Sequence, residues 1–221
     1  MSTLEVKNLT KRFGSLVAVR DVSMTVAKGE LRAVIGPNGA GKTTFFNLVS
    51  GFFAPTAGSI LFEGRDVAAF SPHERVGLGM ARTFQITEIF PELTVFENVR
   101  IATEVAAGYR LRPWLSRADT AELRRRVEET LALALKPRLL LLDEPTAGMG
   151  DQETYEITQL VRQLHKDGNL TIVLIEHDMR VVFHLADRIT VLDQGSFLAE
   201  GTPQEIATNE AVQTAYLGKA A

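Results

Sequence analysis

The stretch GPNGAGKTT, Gly36 to Thr44, concentrates residue types that can hold a polyphosphate. Gly36, Gly41, Lys42 and Thr43 fit the pattern G-x-x-x-x-G-K-[ST], with the apolar run LRAVI before it and the helix-forming FFNLVS after it. Glycines let successive backbone N–H groups converge on phosphate oxygens with no Cβ in the way. A helix that begins near Lys42 aims its positive end at the same point. Lys42 supplies a charge for β- and γ-phosphates, and the Thr43 hydroxyl reaches Mg2+. Pro37, Asn38, Gly39, Ala40 and Thr44 complete the expected cradle.

Such a loop needs an acidic partner at the end of a buried strand. RLLLLDEP provides one: Asp143 follows four leucines and Glu144 comes next. Asp143 is expected to hold the Mg2+ shell through water. Glu144 is expected to act as general base on the attacking water, because the side chain after Asp143 can turn toward the γ-phosphate.

Strands and helices must place these groups. LRAVI (Leu31–Ile35), RLLLLD (Arg138–Asp143), TIVLIE (Thr171–Glu176) and RITVLD (Arg188–Asp193) are almost wholly apolar, which fits parallel strands buried on both faces. Helical patterns such as Asp151–Lys166 and Met179–Ala186 lie between them. This alternation predicts an α/β fold, a P-loop NTPase core with a mostly parallel sheet. LEVKNL (Leu4–Leu9), VSMTV (Val22–Val26) and SILFEG (Ser59–Gly64) instead alternate or are β-branched, and predict an N-terminal antiparallel β subdomain with one solvated face. From about Phe90 to Leu135 the spacing is helical without strand signals. The expected organisation is a single domain: a core of residues 1–89 and 136–221 carrying an inserted helical lobe at 90–135.

The 221 residues, 45% of them hydrophobic and 23% charged, are ample for one sizeable core. A net charge of −3 argues against a domain built to grip nucleic acid. Cysteine is absent, so no disulfide or thiolate–metal framework exists. No apolar run approaches the roughly 18 residues a bilayer span needs, and the first residues, MSTLEVKNLTKRF, lack the apolar core of a signal peptide. Any membrane role is expected to be peripheral.

GPNGAGKTT, ARTFQ, LLLLDEPTAG and LIEHD, in that order, resemble the nucleotide-binding subunit of ABC transporters over nearly the whole chain. The resemblance implies ATP as substrate and Mg2+ as cofactor. It gives Phe13 the place of an aromatic that stacks on adenine. Gln85, in RTFQ, takes the place of the residue that senses Mg2+ and the γ-phosphate and couples to the membrane partner. His177, in LIEHD, stands as the switch histidine at the γ-phosphate. Thr146–Gln152 occupies the loop that meets a second subunit, although Gly150 stands where the family often has Asp or Asn. His73, His165 and His184 show no metal-like spacing and are expected on the surface or on helices. Trp114 reads as packing. The arginines at 110, 112, 117 and 124–126 read as a solvated helix face or as a contact with a membrane partner.

ARTFQITEIFPELTVFENV, the helical insert and the ending EGTPQEIATNEAVQTAYLG resemble, more narrowly, an ATPase subunit of branched-chain amino-acid importers. That resemblance implies transmembrane permease subunits, a second ATPase subunit in a homo- or heterodimer, a periplasmic or surface solute-binding protein as an indirect partner, and a peripheral place on the cytoplasmic face of the cell membrane. The rivals are a non-hydrolytic ATP-binding regulator and a soluble ABC protein of DNA repair or translation. The latter usually brings a long coiled coil or two ATPase units, and neither is visible.

One family feature is missing. ABC ATPases carry a Ser-Gly-Gly-type segment shortly before the strand of the acidic pair, and here no Ser or Gly occurs between Val127 and Pro137. In the family that segment places a hydroxyl and a helix N-terminus against the γ-phosphate held by the opposite subunit. Two readings are open. Either the abrupt join LALALKPRL closes over a stretch that the protein possesses, and the ATPase is complete, or the deletion is genuine and the chain binds ATP without hydrolysing it as a homodimer.

Overall fold

The computed structural model describes residues 2–82, 137–168 and 170–217. These belong to one compact unit, Met1–Gln85 with Pro137–Ala221. Ile86–Lys136 forms a second unit, and the expected helical lobe, Trp114, the arginine cluster and Gln85 all lie outside the described residues.

Two sheets build the described unit. The first is antiparallel, in the order β2-β1-β4-β5, with β1 at Ser2–Phe13, β2 at Leu16–Ala27, β4 at Ala57–Phe62 and β5 at Arg65–Asp66. Along β2 the buried residues Val22, Met24 and Val26 alternate with exposed ones, the one-sided burial that the sequence pattern implies. The second sheet has the order β10-β9-β3-β8-β7-β6, from β3 (Leu31–Ile35), β6 (Met80–Arg82), β7 (Leu139–Asp143), β8 (Thr171–Ile175), β9 (Arg188–Asp193) and β10 (Ser196–Gly201). All its pairs are parallel except β9–β10. The short edge strand β6 has no counterpart in the sequence reading.

Side chains of β3 alternate between two cores. Val34 joins the cluster that includes Phe45, Phe46 and the inner face of the antiparallel sheet. Leu31, Ala33 and Ile35 join a second cluster with Val161, Val181 and Val182. That second cluster is closed by α3 (Asp151–Gly168) and α4 (Met179–Leu185). Both faces of β3 are therefore dry, which is why its sequence shows no polar alternation.

Arg32 is the exception within β3, and it links the two sheets. Its guanidinium is 1% exposed. It donates to Glu30 at 2.5 Å, to Thr190 on β9 at 2.9 Å and to the Thr25 carbonyl of β2 at 3.0 Å, and it pairs with Glu200 on β10. Removing one member of a buried charge cluster strands the others. Arg32→Met should cost about 3 kcal/mol and lower Tm by roughly 6–12 °C in a protein of this size, read by thermal denaturation. A shift within a degree of wild type would show that the cluster is neutral to stability.

The chain ends in α5 (Pro203–Ala207) and α6 (Glu210–Leu217), which follow β10. Two further helices, α1 (Lys42–Val49) and α2 (Pro72–Gly77), belong to the site below. Among the described residues no helix is long and apolar enough to cross a membrane.

Candidate active site

Three parallel strands deliver the chemistry to one edge. The carboxyl end of β3 runs into Gly36–Gly41, that of β7 ends at Asp143, and that of β8 leads to Glu176 and His177. Ligands in open α/β sheets bind outside such strand ends. Here a cavity of about 570 Å3 opens, lined by Asn38–Thr44, Glu144 and His177 among others. That volume lies within the ordinary range for ligand sites.

The loop is shaped by backbone that only glycine adopts easily. Gly41 has φ +90°, and a Cβ there would sit 2.4 Å from the Ala18 carbonyl oxygen of β2. At Gly36 a Cβ would meet the Leu192 carbonyl oxygen of β9 at 2.1 Å. The loop is thus clamped between β2 and β9. Gly41 is also the N-cap of α1, with no side chain to satisfy the helix's first N–H groups and no acidic residue in the first turn. Those donors and the helix dipole remain directed at an anion. At the other end of α1, buried Arg75 of α2 donates to the carbonyls of Leu48 at 2.7 Å and Val49 at 2.6 Å. Burial brings the Arg75 pKa down to about 10, with Asp66 opposing. A cation at the carboxyl end of α1 complements its dipole and fixes its axis.

Lys42 is 6% exposed, and its ammonium donates to the carbonyl oxygens of Gly36 at 2.8 Å and Pro37 at 3.1 Å. Burial lowers its pKa, and the charge of Glu144 opposes that shift. An ammonium desolvated in this way gains when a phosphate oxygen replaces a carbonyl.

Glu144 stands at φ +49°, in the left-handed region, immediately after β7. Non-glycine residues hold that conformation only where the surroundings fix it. Its N–H donates to the Ile175 carbonyl at 2.9 Å, and its Oε1 lies 2.6 Å from His177 Nε2. The two expected reactive side chains are therefore joined and both face the cavity.

Asp143 Oδ2 accepts from Arg82 Nη2 at 2.7 Å. Arg82 Nη1 in turn donates to Asn47 Oδ1 and Ser50 Oγ, both at 2.7 Å, so Asp143 is tied to α1 through β6. The Thr43 hydroxyl and the Asp143 carboxylate are hard oxygen donors, the type Mg2+ selects, and its remaining ligands would come from phosphate and water.

Phe13 lies at the rim of the hairpin and not in the cavity lining. It is 42% exposed at the end of β1 and packs edge-on against Phe53, with centroids 5.3 Å apart. Leu16, Val17 and Ala18, across the hairpin, line the cavity, with Gln194 and Gly195 of the β9–β10 turn. The sequence offered no signal for these, because apolar residues at a strand start carry no chemistry by type. The remaining histidines lie on helices, as expected: His165 donates from Nδ1 to the Leu170 carbonyl, and His184 meets Arg162.

Comparison with known proteins identifies the family. The sequence profile described as ABC transporter matches residues 19–147, and one described as branched-chain amino acid ATP-binding cassette transporter matches residues 198–221. The high-affinity branched-chain amino acid transport ATP-binding protein BraF of Pseudomonas aeruginosa is 38% identical, and LivG of Escherichia coli 37%, each over 250 residues with 98% of both chains covered. The lipopolysaccharide export system ATP-binding protein LptB of Escherichia coli is 34% identical over 99% of this chain and 98% of its own. Among solved structures, the ATP-binding cassette MJ1267 superposes with a TM-score of 0.82 at 28% identity, covering 99% of this chain and all of its own. Alignments of 250 positions exceed the 221 residues present here, so the relatives carry residues that this chain lacks. The phosphate loop and the acidic pair at the end of β7 sit in the matched profile, and the chain belongs to the ABC transporter family of ATP-binding proteins.

Proposed function

We propose that this chain is the ATP-binding and hydrolysing subunit of an ABC importer for branched-chain or related amino acids, working at the cytoplasmic face of the membrane with permease subunits and a second ATPase subunit. One observation carries the enzymatic part: the phosphate loop and the Glu144–His177 pair line one cavity. The importer part rests on the profile match at residues 198–221 and on the named function of BraF and LivG. LptB shows that a cassette of this kind also serves an export system.

In the reaction, loop N–H groups and Lys42 hold the β- and γ-phosphates. Mg2+, held by Thr43 and Asp143, with Gln85 as the further expected contact, would neutralise charge on the phosphate oxygens. Glu144 accepts a proton from water as its oxygen bonds to the γ-phosphorus. The bond from that phosphorus to the bridging oxygen breaks, leaving ADP and phosphate. His177 orients Glu144 and offers an N–H to the developing charge. Phe13 and Leu16 flank the hairpin near which adenine would lie.

The missing Ser-Gly-Gly-type segment bears on the partner. A homodimer of this chain would present that segment to neither site, so the working complex is a heterodimer in which a related ATPase chain supplies it. The same gap is the observation behind a second reading, in which the chain is a non-hydrolytic ATP-binding regulator. Phosphate release separates the two. The chain should bind ATP with negligible turnover alone, and turn over when reconstituted in vesicles with its permease, second ATPase subunit and solute-binding protein. Stimulation by leucine, isoleucine or valine supports the importer. A reconstituted complex whose turnover is unchanged by Lys42→Ala in this chain supports the regulator.

A further inference from the structure

Glu176 lies outside the cavity lining, yet it joins the two segments that carry the reactive pair. It follows β8 directly and is 4% exposed. Oε1 accepts from the Thr146 N–H at 3.0 Å and from the Thr146 hydroxyl. Oε2 accepts from the His177 N–H at 2.8 Å and the Asp178 N–H at 3.2 Å. These four donors satisfy a buried carboxylate.

The two oxygens serve different segments. Thr146 belongs to the loop that starts at Glu144. His177 and Asp178 form the turn into α4, where Asp178 is the N-cap. Glu144 and His177 meet at 2.6 Å across the gap between β7 and β8, a separation set by the backbone of both segments. Displacements of about 1 Å in reacting groups cost roughly a hundredfold in rate.

We propose that Glu176 is a positioning residue: its carboxylate locks the loop after Glu144 to the turn bearing His177, so that the two side chains move as one body. The inference rests on the ATPase reading for its kinetic consequence and on geometry alone for the coupling. Both oxygens must be acceptors. A glutamine of the same shape turns an NH2 toward one donor pair whichever way it flips, and so releases one segment.

The test is Glu176→Gln in the full chain. Amide hydrogen exchange by mass spectrometry should accelerate about tenfold or more in peptides covering 144–150 or 177–180, with peptides of α1 and β3 unchanged. In the reconstituted complex, kcat should fall about 10- to 100-fold with the affinity for ATP within twofold of wild type. In a His177→Ala background the same change should lower the rate less than threefold, because the pair it aligns is already broken. If Glu176→Gln does not fold, Thr146→Val removes only the hydroxyl donor and should shift exchange in the same two segments by a smaller factor. Unchanged exchange in both segments, or an ATP affinity that falls as much as kcat, overturns the proposal. Failure of the wild-type complex to hydrolyse ATP would instead overturn the functional reading, and hydrogen exchange would still decide the role of Glu176.

Discussion

Glu144→Gln should abolish most ATP turnover, lowering kcat by about a hundredfold to ten-thousandfold, while ATP still binds. Glutamine keeps the size and the hydrogen-bonding reach toward His177 Nε2, now 2.6 Å from Glu144 Oε1, but it cannot accept the proton of the attacking water. Nothing in the phosphate loop changes. Equilibrium binding of ATP to the chain and phosphate release by the reconstituted complex give the two halves of the result. Bound ATP that is no longer cleaved places Glu144 as the base. Retained turnover would move that role to another group, and His177, the only other titratable side chain with Lys42 in the described lining, would be the first to examine.

Gly41→Ala should have a comparably large effect by a different route. A methyl group at φ +90° is strained by itself, and this one would stand 2.4 Å from the Ala18 carbonyl oxygen, a backbone atom that cannot swing aside. Moving β2 or the loop costs about 3 kcal/mol and turns the first N–H groups of α1 away from the phosphates. ATP affinity should fall more than a hundredfold, with Tm lower by roughly 6–12 °C. Gly39→Ala is the control. Gly39 has φ +80°, but a Cβ there meets nothing within 4 Å, so only the backbone strain of about 1 kcal/mol applies. Calorimetric titration of both variants separates strain from collision. Equal losses would show that conformation alone, and not the clamp between β2 and β9, shapes the loop.

Much of this was readable in the residues. LRAVI and RLLLLD announce buried parallel strands because both faces of β3 and β7 are covered, and the glycine spacing announces a phosphate loop because few other local demands need so many. The acidic pair after four leucines follows from the same logic. What escaped the sequence depends on contacts between distant segments. Arg82 reaches Asp143 across 61 residues, and β6, which carries it, is three residues long and shows no period. Glu176 read as the last residue of the run TIVLIE, yet the strand stops at Ile175 and the carboxylate turns to Thr146, 30 residues away. The packing of Phe13 on Phe53 depends likewise on the pairing of β1 with β4 and the turn before it.

The same physics explains why the family was legible and the partner was not. A cradle of glycines, one lysine and two carboxylates must lie close in space, and here each comes from a short segment at a strand end. On the proposed reading the opposite face of the nucleotide would come from another polypeptide, and no Ser-Gly-Gly-type segment lies between Val127 and Pro137 of this chain. Only the relatives, with alignments longer than this chain, show that the shortening is internal.

The most direct measurement is the binding of ATP to the purified chain, with and without Mg2+. An ATP-binding cassette subunit with this loop should take up one ATP per chain, more tightly with Mg2+, and should lose that binding in Gly41→Ala while keeping it in Glu144→Gln. A chain that binds no ATP, or binds it equally well after Gly41→Ala, would contradict the assignment of the cavity as a nucleotide site and everything built on it.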